Sequence, residues 1–260
     1  MILTRLGNKR KMKDQLSKYF PKHKMRIELF FGAGGSYFYL PKPKYAILND
    51  LDDDVYNLYK IILDQKDELI KQIRLMPITE SLIKDWKKNI ELDPMKKAIR
   101  FLLLSNFTYL GKGDTLRFGL ENVKKNIIKN IEPTFLWLQD ATLMNSDFRE
   151  VIKKINFSDT LLRKDEAFVY MDPVYLYTTH FYKVPKWTLK DTEDCFKIMA
   201  TSGIPSALSE FDNEDVLQLA TKYNMNIIYL KERRNINNRR TEILVTNYAD
   251  DQLGLFDTVS

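Results

Sequence analysis

Short apolar runs that stop abruptly at glycine or acid, with helical periodicity between them, constrain this chain more than any other feature. Met25 to Phe31 runs into Gly32-Ala33-Gly34-Gly35, Tyr45 to Leu48 ends in Asn49-Asp50, and Ala167 to Met171 ends in Asp172-Pro173-Val174-Tyr175. Runs of this length bounded by turn residues read as buried strands. Asp52-Asp53-Asp54 then opens a helix, with acids in its first turn, that continues through Val55, Leu58, Ile61, Ile62, Leu69 and Ile73. Strands alternating with helices imply an α/β fold with a mainly parallel sheet covered on both faces. Ligands of such sheets sit at the carboxyl ends of the strands, near the topological switch point.

The alternation is interrupted between residues 78 and 135. Helical patterns follow one another there over Ser81–Ile90, Met95–Tyr109 and Glu121–Ile131, with a loop at Gly111-Lys112-Gly113-Asp114. This stretch reads as a helical insertion into an α/β domain formed by residues 1–77 and 136–249. The rhythm then resumes: a helix over Asp147–Ile155, the strand Ala167–Met171, a helix over Leu189–Thr201, a strand at Ser206–Ser209, a helix over Asn213–Tyr223, and strands at Ile227–Leu230 and Thr241–Thr246. The last two are expected as an antiparallel edge hairpin around a basic loop. Residues 250–260 form a short polar tail apart from Gln252-Leu253-Gly254-Leu255-Phe256.

Charge narrows the class of partner. The net charge is +6, yet residues 1–26 alone hold nine Lys or Arg against one acid, Asp14. A second cluster, Arg233-Arg234 and Arg239-Arg240, flanks Asn235-Ile236-Asn237-Asn238. Two basic patches on a near-neutral body suit a polyanion such as nucleic acid, or else form a solvated Lys-rich surface. A single cysteine, Cys195, and two histidines, His23 and His180, exclude an internal disulfide and argue against a metal centre. No apolar run is long enough to span a bilayer, and Met1-Ile2-Leu3-Thr4-Arg5 lacks a signal-peptide core, so an intracellular, cytoplasmic protein is expected. Cys195 falls on a helix as a small buried hydrophobe.

The strand ends carry the chemistry. Glycines after a strand allow positive φ and let a ligand approach the backbone. An acid at the end of the next strand, Asp50, is placed to accept hydrogen bonds from ribose hydroxyls. The turn is no P-loop, because no Gly-Lys-Ser/Thr follows, and Gly-x-Gly-Gly is not the usual dinucleotide spacing. In Asp172-Pro173-Val174-Tyr175, the carboxylate can accept from an exocyclic amine, the proline leaves its carbonyl free, and the tyrosine offers a stacking face. Asp-Pro after a strand is also ordinary turn chemistry. A glycine turn, then Asn-Asp, then Asp-Pro-x-Tyr in one order favours a nucleoside cofactor and a planar amine substrate.

Read together, these stretches resemble a Dam-type (D12 class) DNA adenine-N6 methyltransferase. Leu6-Gly7-Asn8-Lys9 resembles the N-terminal cofactor motif, and Phe30–Gly35 the cofactor glycine loop. Asn49-Asp50-Leu51 with Tyr56-Asn57-Leu58-Tyr59 resembles the ribose-binding segment. Asn145-Ser146-Asp147-Phe148 is close to a segment lining the cofactor adenine, and Asp172-Pro173-Val174-Tyr175 resembles the catalytic Asp-Pro-Pro-Tyr. The closing Thr241–Tyr248 matches as well, and the resemblance spans almost the whole chain. It departs at Val174, where the family has a second proline. Ser105–Gly119 corresponds only loosely to the family's DNA-contacting segment.

The resemblance implies a Rossmann-like, class I methyltransferase fold with a helical DNA-recognition insertion. It implies S-adenosylmethionine as methyl donor, held by Arg5, Lys9, Phe31, Gly32, Ala33, Gly34, Asp50, Asp147, Phe148 and Asp172. Asp172, Pro173 and Tyr175 would act on the N6 amine of an adenine flipped out of duplex DNA, with no metal. Lys112, Arg117, Arg233, Arg234, Arg239 and Arg240 would contact DNA. Tyr177, His180 and Tyr182 lie past the motif and would either cover the base or pack the loop. The segment Gln252–Phe256 resembles a peptide that docks on the sliding clamp. A monomer in solution and no membrane association are expected. The alternatives are methylation of an RNA adenine or a protein glutamine, or a DNA-binding relative that transfers nothing.

Overall fold

Seven strands form one sheet in the order β3-β2-β1-β4-β5-β7-β6. They are β1 Met25–Glu28, β2 Tyr45–Asn49, β3 Ala141–Met144, β4 Ala167–Met171, β5 Ser206–Phe211, β6 Asn226–Asn235 and β7 Asn238–Thr246. The computed structural model describes residues 2–3, 9–88, 90–108, 122–157, 162–178, 184–235 and 238–249, with side chains left aside at 10, 11, 83, 231–235 and 238–240. β1 pairs in parallel with β2 and β4, and β4 with β5, whereas β7 runs antiparallel to β5 and β6. The sheet is thus the mainly parallel, Rossmann-like one expected. The chain leaves β1 for β2 on one side and returns to β4 on the other. That reversal places the switch-point crevice at the carboxyl ends of β1 and β4.

The structure departs from the sequence reading in three places. The described residues of the basic segment 233–240 are strand rather than loop: β6 runs to Asn235 and β7 begins at Asn238, pairing Arg233 with Arg240 and Arg234 with Arg239. The strand β3 was not expected at all. A short helix, α1 (Lys13–Tyr19), also precedes β1.

The chain divides into two compact units. The first contains Met1–Lys13, Gly32–Lys42 and Asp52–Leu143. Its helices are α2 Asp53–Leu75, α3 Glu80–Lys88, α4 Pro94–Phe107 and α5 Val123–Leu138. Each long helix starts where its sequence supplies a cap: Asp52 accepts from the Asp54 N–H, Asp93 from Lys96 with Pro94 at the first turn, and Asn122 from Lys125. Leu58, Ile61, Ile62, Leu69 and Ile73 of α2, Ile99, Leu102 and Leu103 of α4, and Ile127 and Ile131 of α5 are buried. Gln65 takes a non-helical conformation and breaks α2 in two. Among the described residues no helix is long and apolar enough to cross a membrane.

The second unit contains Asp14–Phe31, Pro43–Leu51 and Met144–Ser260. Its helices are α6 Phe148–Val151, α7 Leu189–Thr201 and α8 Glu214–Lys222. Strand alternation decides its two faces. On one face Ile27, Leu29, Val169, Met171, Leu208, Ile243 and Val245 pack with Cys195, Phe196, Met199 and Val216 of α7 and α8. Burial holds the Cys195 thiol far above its ordinary range, with the negative charge of Glu210 adding to the effect. The opposite face is unusually polar. Arg26 and Glu28, both almost fully buried, face each other at 3.9 Å. The Arg26 Nε–H donates to His23 Nε2 at 3.1 Å, and the Tyr170 hydroxyl hydrogen-bonds Ser209 at 2.8 Å.

Candidate active site

The Asp172-Pro173-Val174-Tyr175 loop leaves the carboxyl end of β4, whose five residues are all buried. β4 lies between β1 and β5, so the loop sits beside the switch point. Pro173 is buried and Asp172 half-buried. The loop closes on itself: the Tyr175 carbonyl accepts from the Thr178 N–H at 3.1 Å and from the Thr178 hydroxyl at 2.6 Å. Tyr177 adopts φ 61°, a left-handed conformation rare for a bulky residue. It projects outward, 64% exposed, and its hydroxyl donates to Asp215 at 2.7 Å.

Two buried glutamates hold this loop. The Tyr175 hydroxyl donates to Glu242 Oε1 of β7 at 2.5 Å, and the Leu176 N–H donates to Glu210 Oε2 of β5 at 2.9 Å. The Tyr175 ring meets Phe211 edge-on, with centroids 4.7 Å apart. Burial pushes the Tyr175 and Tyr170 phenols well above their ordinary value, and the charges of Asp172 and Glu242 push both further. Tyr175 is therefore a neutral phenol and a hydrogen-bond donor.

The end of β2 is stitched with comparable density. Asn49 donates through Nδ2 to the carbonyls of Leu29 and Ser146, both at 3.0 Å, and its Oδ1 accepts from the Ser146 N–H at 3.0 Å. The Asn49 carbonyl accepts from the Phe31 N–H at 2.8 Å, and the Asn145 side chain donates to the Asp50 carbonyl at 2.8 Å. These bonds gather the ends of β1 and β2 and the segment before α6. Asp50 stands there half-buried. The α2 N-cap is Asp52, so Asp50 is not spent on capping. Asp147 caps α6 by accepting from the Arg149 N–H at 2.9 Å and pairs with the Arg149 guanidinium at 3.0 Å. Arg149 also bridges Asp191 and Asp194 of α7. Burial alone would lower its pKa, but the three carboxylates hold it above the usual arginine range. Phe148 is buried against Phe30 and Trp187, at centroid distances of 5.1 and 5.6 Å.

In the first unit, Gly32 and Gly34 have φ values of +52° and +68°, which L side chains rarely adopt. A Cβ built on Gly32 would meet nothing within 4 Å, so room is left beside the backbone on that side. Ala33 and Gly34 are buried, and Lys9 is 2% exposed. Within this unit, a turned backbone with room beside it and a buried lysine match what the carboxylate of an amino-acid-bearing ligand needs in donors.

The second unit therefore brings Asp50, Asp147 and Phe148 into one stitched corner, and Asp172, Pro173 and Tyr175 into one braced loop on the same end of the sheet. Phe31 is buried at the end of β1. Arg5, Lys112, Arg117, His180, Tyr182 and Gln252–Phe256 lie outside the described residues, as do the side chains of Arg233, Arg234, Arg239 and Arg240. The motifs did not reveal Glu210, Glu242 or the stapling role of Asn49. The available signal was a glutamate set inside an apolar strand pattern, in Ser-Ala-Leu-Ser-Glu-Phe and Thr-Glu-Ile-Leu-Val-Thr.

Residues 6–236 match the family model described as D12 class N6 adenine-specific DNA methyltransferase. The modification methylase StsI of Streptococcus sanguinis is 24% identical over 297 residues, covering 98% of this chain and 44% of that protein. The DNA adenine methylase of Escherichia coli K12 is 28% identical over 181 residues, covering 65% of this chain and 62% of its own length. The type II methyltransferase M1.LlaDCHI of Lactococcus lactis subsp. cremoris is 24% identical over 276 residues, covering 94% of each chain. The chain thus spans less than two thirds of the first two relatives.

Proposed function

Because the chain belongs to the D12 class of N6 adenine-specific DNA methyltransferases, we propose that it transfers a methyl group from S-adenosylmethionine to N6 of an adenine flipped out of duplex DNA. The observation that carries this reading is Asp172-Pro173, held at the carboxyl end of β4 on the same end of the sheet as Asp50. When bound, S-adenosylmethionine supplies a methyl group made electrophilic by a positively charged sulfur. Arg5, Lys9 and the backbone of Phe31, Gly32, Ala33 and Gly34 hold its amino-acid end. Asp50 takes the ribose hydroxyls, and Asp147 and Phe148 flank the adenine.

The substrate amine needs activation, because its lone pair is delocalised into the base. The Asp172 carboxylate and the Pro173 carbonyl each accept one N6 hydrogen. Their pull favours a pyramidal nitrogen with its lone pair free. As N6 forms its bond to the methyl carbon, with the electron pair of the broken sulfur–methyl bond staying on sulfur, positive charge grows on the N6 hydrogens, where Asp172 stabilises it, and the surplus N6 proton is lost to solvent. Asp172 also contributes a negative charge to the cofactor side of the site. Tyr175 stacks on the flipped base, an interaction worth roughly 1–3 kcal/mol per base in single-strand systems. Val174 contributes no group to this chemistry.

Residues 78–135 serve as the recognition insertion of a catalytic domain made of 1–77 and 136–249. Arg117 reads a base edge, while Lys112 and the arginines of the β6–β7 ladder neutralise phosphates. The tail docks on a sliding clamp through Gln252–Phe256, which deletion of residues 250–260 and a clamp-binding assay tests. Transfer of a labelled methyl group to duplex DNA, RNA and a glutamine peptide tests the main reading. Labelling of the duplex alone is expected; labelling of RNA or peptide instead would replace it.

A further inference from the structure

We infer that Glu242, together with Glu210, positions the catalytic loop by gripping residues 175 and 176 from opposite faces of the sheet. The inference rests on the methyltransferase reading above and gives a role to residues for which the sequence motifs supplied none.

The two glutamates reach the loop from different strands and different faces. Glu242 pairs with Phe211 across the β5–β7 ladder, and Glu210 pairs with Ile243. Side chains alternate along a strand, so Glu210 shares the face of Leu208 and Ile243, and Glu242 the face of Phe211 and Leu244. Both residues are fully buried. One takes the Tyr175 hydroxyl and the other the Leu176 N–H. Consecutive residues are thereby tied to opposite sides of one rigid ladder. Buried carboxylates are costly in a strand pair unless such donors repay their desolvation.

The grip fixes what catalysis needs fixed. A tyrosine has two side-chain torsions. Here the hydroxyl is anchored at one end and the ring edge rests on Phe211 at 4.7 Å. The ring plane is set before any base arrives, so stacking costs little further ordering. Backbone stiffness alone would not achieve this, because Pro173 fixes φ at only one position of the loop and Val174 leaves the next one free. The same brace sets the Pro173 carbonyl and Asp172, which precede Tyr175 by two and three residues.

The test combines methyl transfer to duplex DNA with urea unfolding for wild type, Tyr175→Phe, Glu242→Leu, Glu242→Gln and the Tyr175→Phe/Glu242→Leu double variant. Tyr175→Phe keeps the ring and removes only the hydroxyl, so it serves even where Glu242→Leu fails to fold. A charge-assisted bond of this kind corresponds to roughly a 10- to 100-fold effect. Tyr175→Phe should lower kcat by about that factor with the cofactor Kd unchanged. Glu242→Gln, whose amide oxygen still accepts, should recover most of the rate. The double variant should have the urea midpoint and kcat of its worse parent. Additive midpoint shifts would show that the bond does not exist and overturn the inference. So would a coupled midpoint with a Tyr175→Phe kcat equal to wild type. Coupled midpoints in a wild type that transfers no methyl group would instead refute the methyltransferase reading, and the positioning role with it, while leaving the bond standing.

Discussion

Asn49→Ala should disable the cofactor corner without touching a group that contacts the cofactor. Asn49 is 1% exposed and makes three side-chain hydrogen bonds of 3.0 Å, two donated and one accepted. Each such bond contributes a net ~0.5–1.5 kcal/mol, so alanine should cost about 1.5–4.5 kcal/mol, more if the Leu29 and Ser146 groups stay buried without partners. Urea unfolding followed by circular dichroism measures this as a lower midpoint at unchanged slope. Calorimetry should show S-adenosylmethionine affinity falling about tenfold or more, because the staple sets the chain entering Asp50 and Asp147. Asn49→Asp sharpens the test. It keeps the acceptor but turns Nδ2 into an oxygen facing two carbonyls at 3.0 Å. The folded state then favours the protonated acid, so the folded pKa lies above the unfolded value of about 3.9. A group raised in this way stabilises below its unfolded pKa and loses that contribution as pH rises through its folded pKa. The variant should approach wild-type stability near pH 4 and fall behind it by pH 7. An alanine cost below about 1 kcal/mol, on a scale where one such bond contributes that much, would refute the staple. So would an aspartate deficit that does not change with pH.

His23 is held neutral, its pKa lowered to about 4 by burial and then by Arg26, against a raising contribution from the Pro21 carbonyl. Its unfolded value is near 6.5, so stability should be full above that pH and fall by up to roughly 3 kcal/mol as pH drops toward 4. His23→Gln should flatten that part of the stability profile, and an unchanged acid limb would contradict the assignment. Gly32→Ala should cost about 1–2 kcal/mol, because φ is +52° but the methyl meets nothing within 4 Å. The methyl would occupy the room beside the loop, so cofactor affinity should fall by more than stability does; equal affinity would remove Gly32 from the cofactor site.

The residues that could be read from the sequence are those whose role is local. β1, β2 and β4 announce themselves as apolar runs ending in glycine or acid, and α2 begins at the acidic cap its sequence displays. β3 gave no signal because it is a four-residue strand with no residue fully buried. The 233–240 segment reads as a loop because its asparagines are poor strand formers, yet ladder pairing extends β6 to Asn235 and starts β7 at Asn238. Arg26 and Glu28 look like exposed residues and are buried, since each finds a partner on the polar face of the sheet. Glu242 sits 67 residues from the tyrosine it holds. Only the β5–β7 pairing brings the two together, and no local pattern encodes that meeting.

The central claim is that Asp172 and Pro173, braced at the end of β4, carry methyl transfer to adenine N6. Sequencing of N6-methyladenine in DNA from methylation-deficient cells expressing the chain tests it most directly, with Asp172→Ala as the paired variant. The account predicts N6-methyladenine confined to one short recognition sequence with wild type, and none above background with Asp172→Ala. Equal methylation with the folded Asp172→Ala variant, or none with the folded wild type, would contradict it.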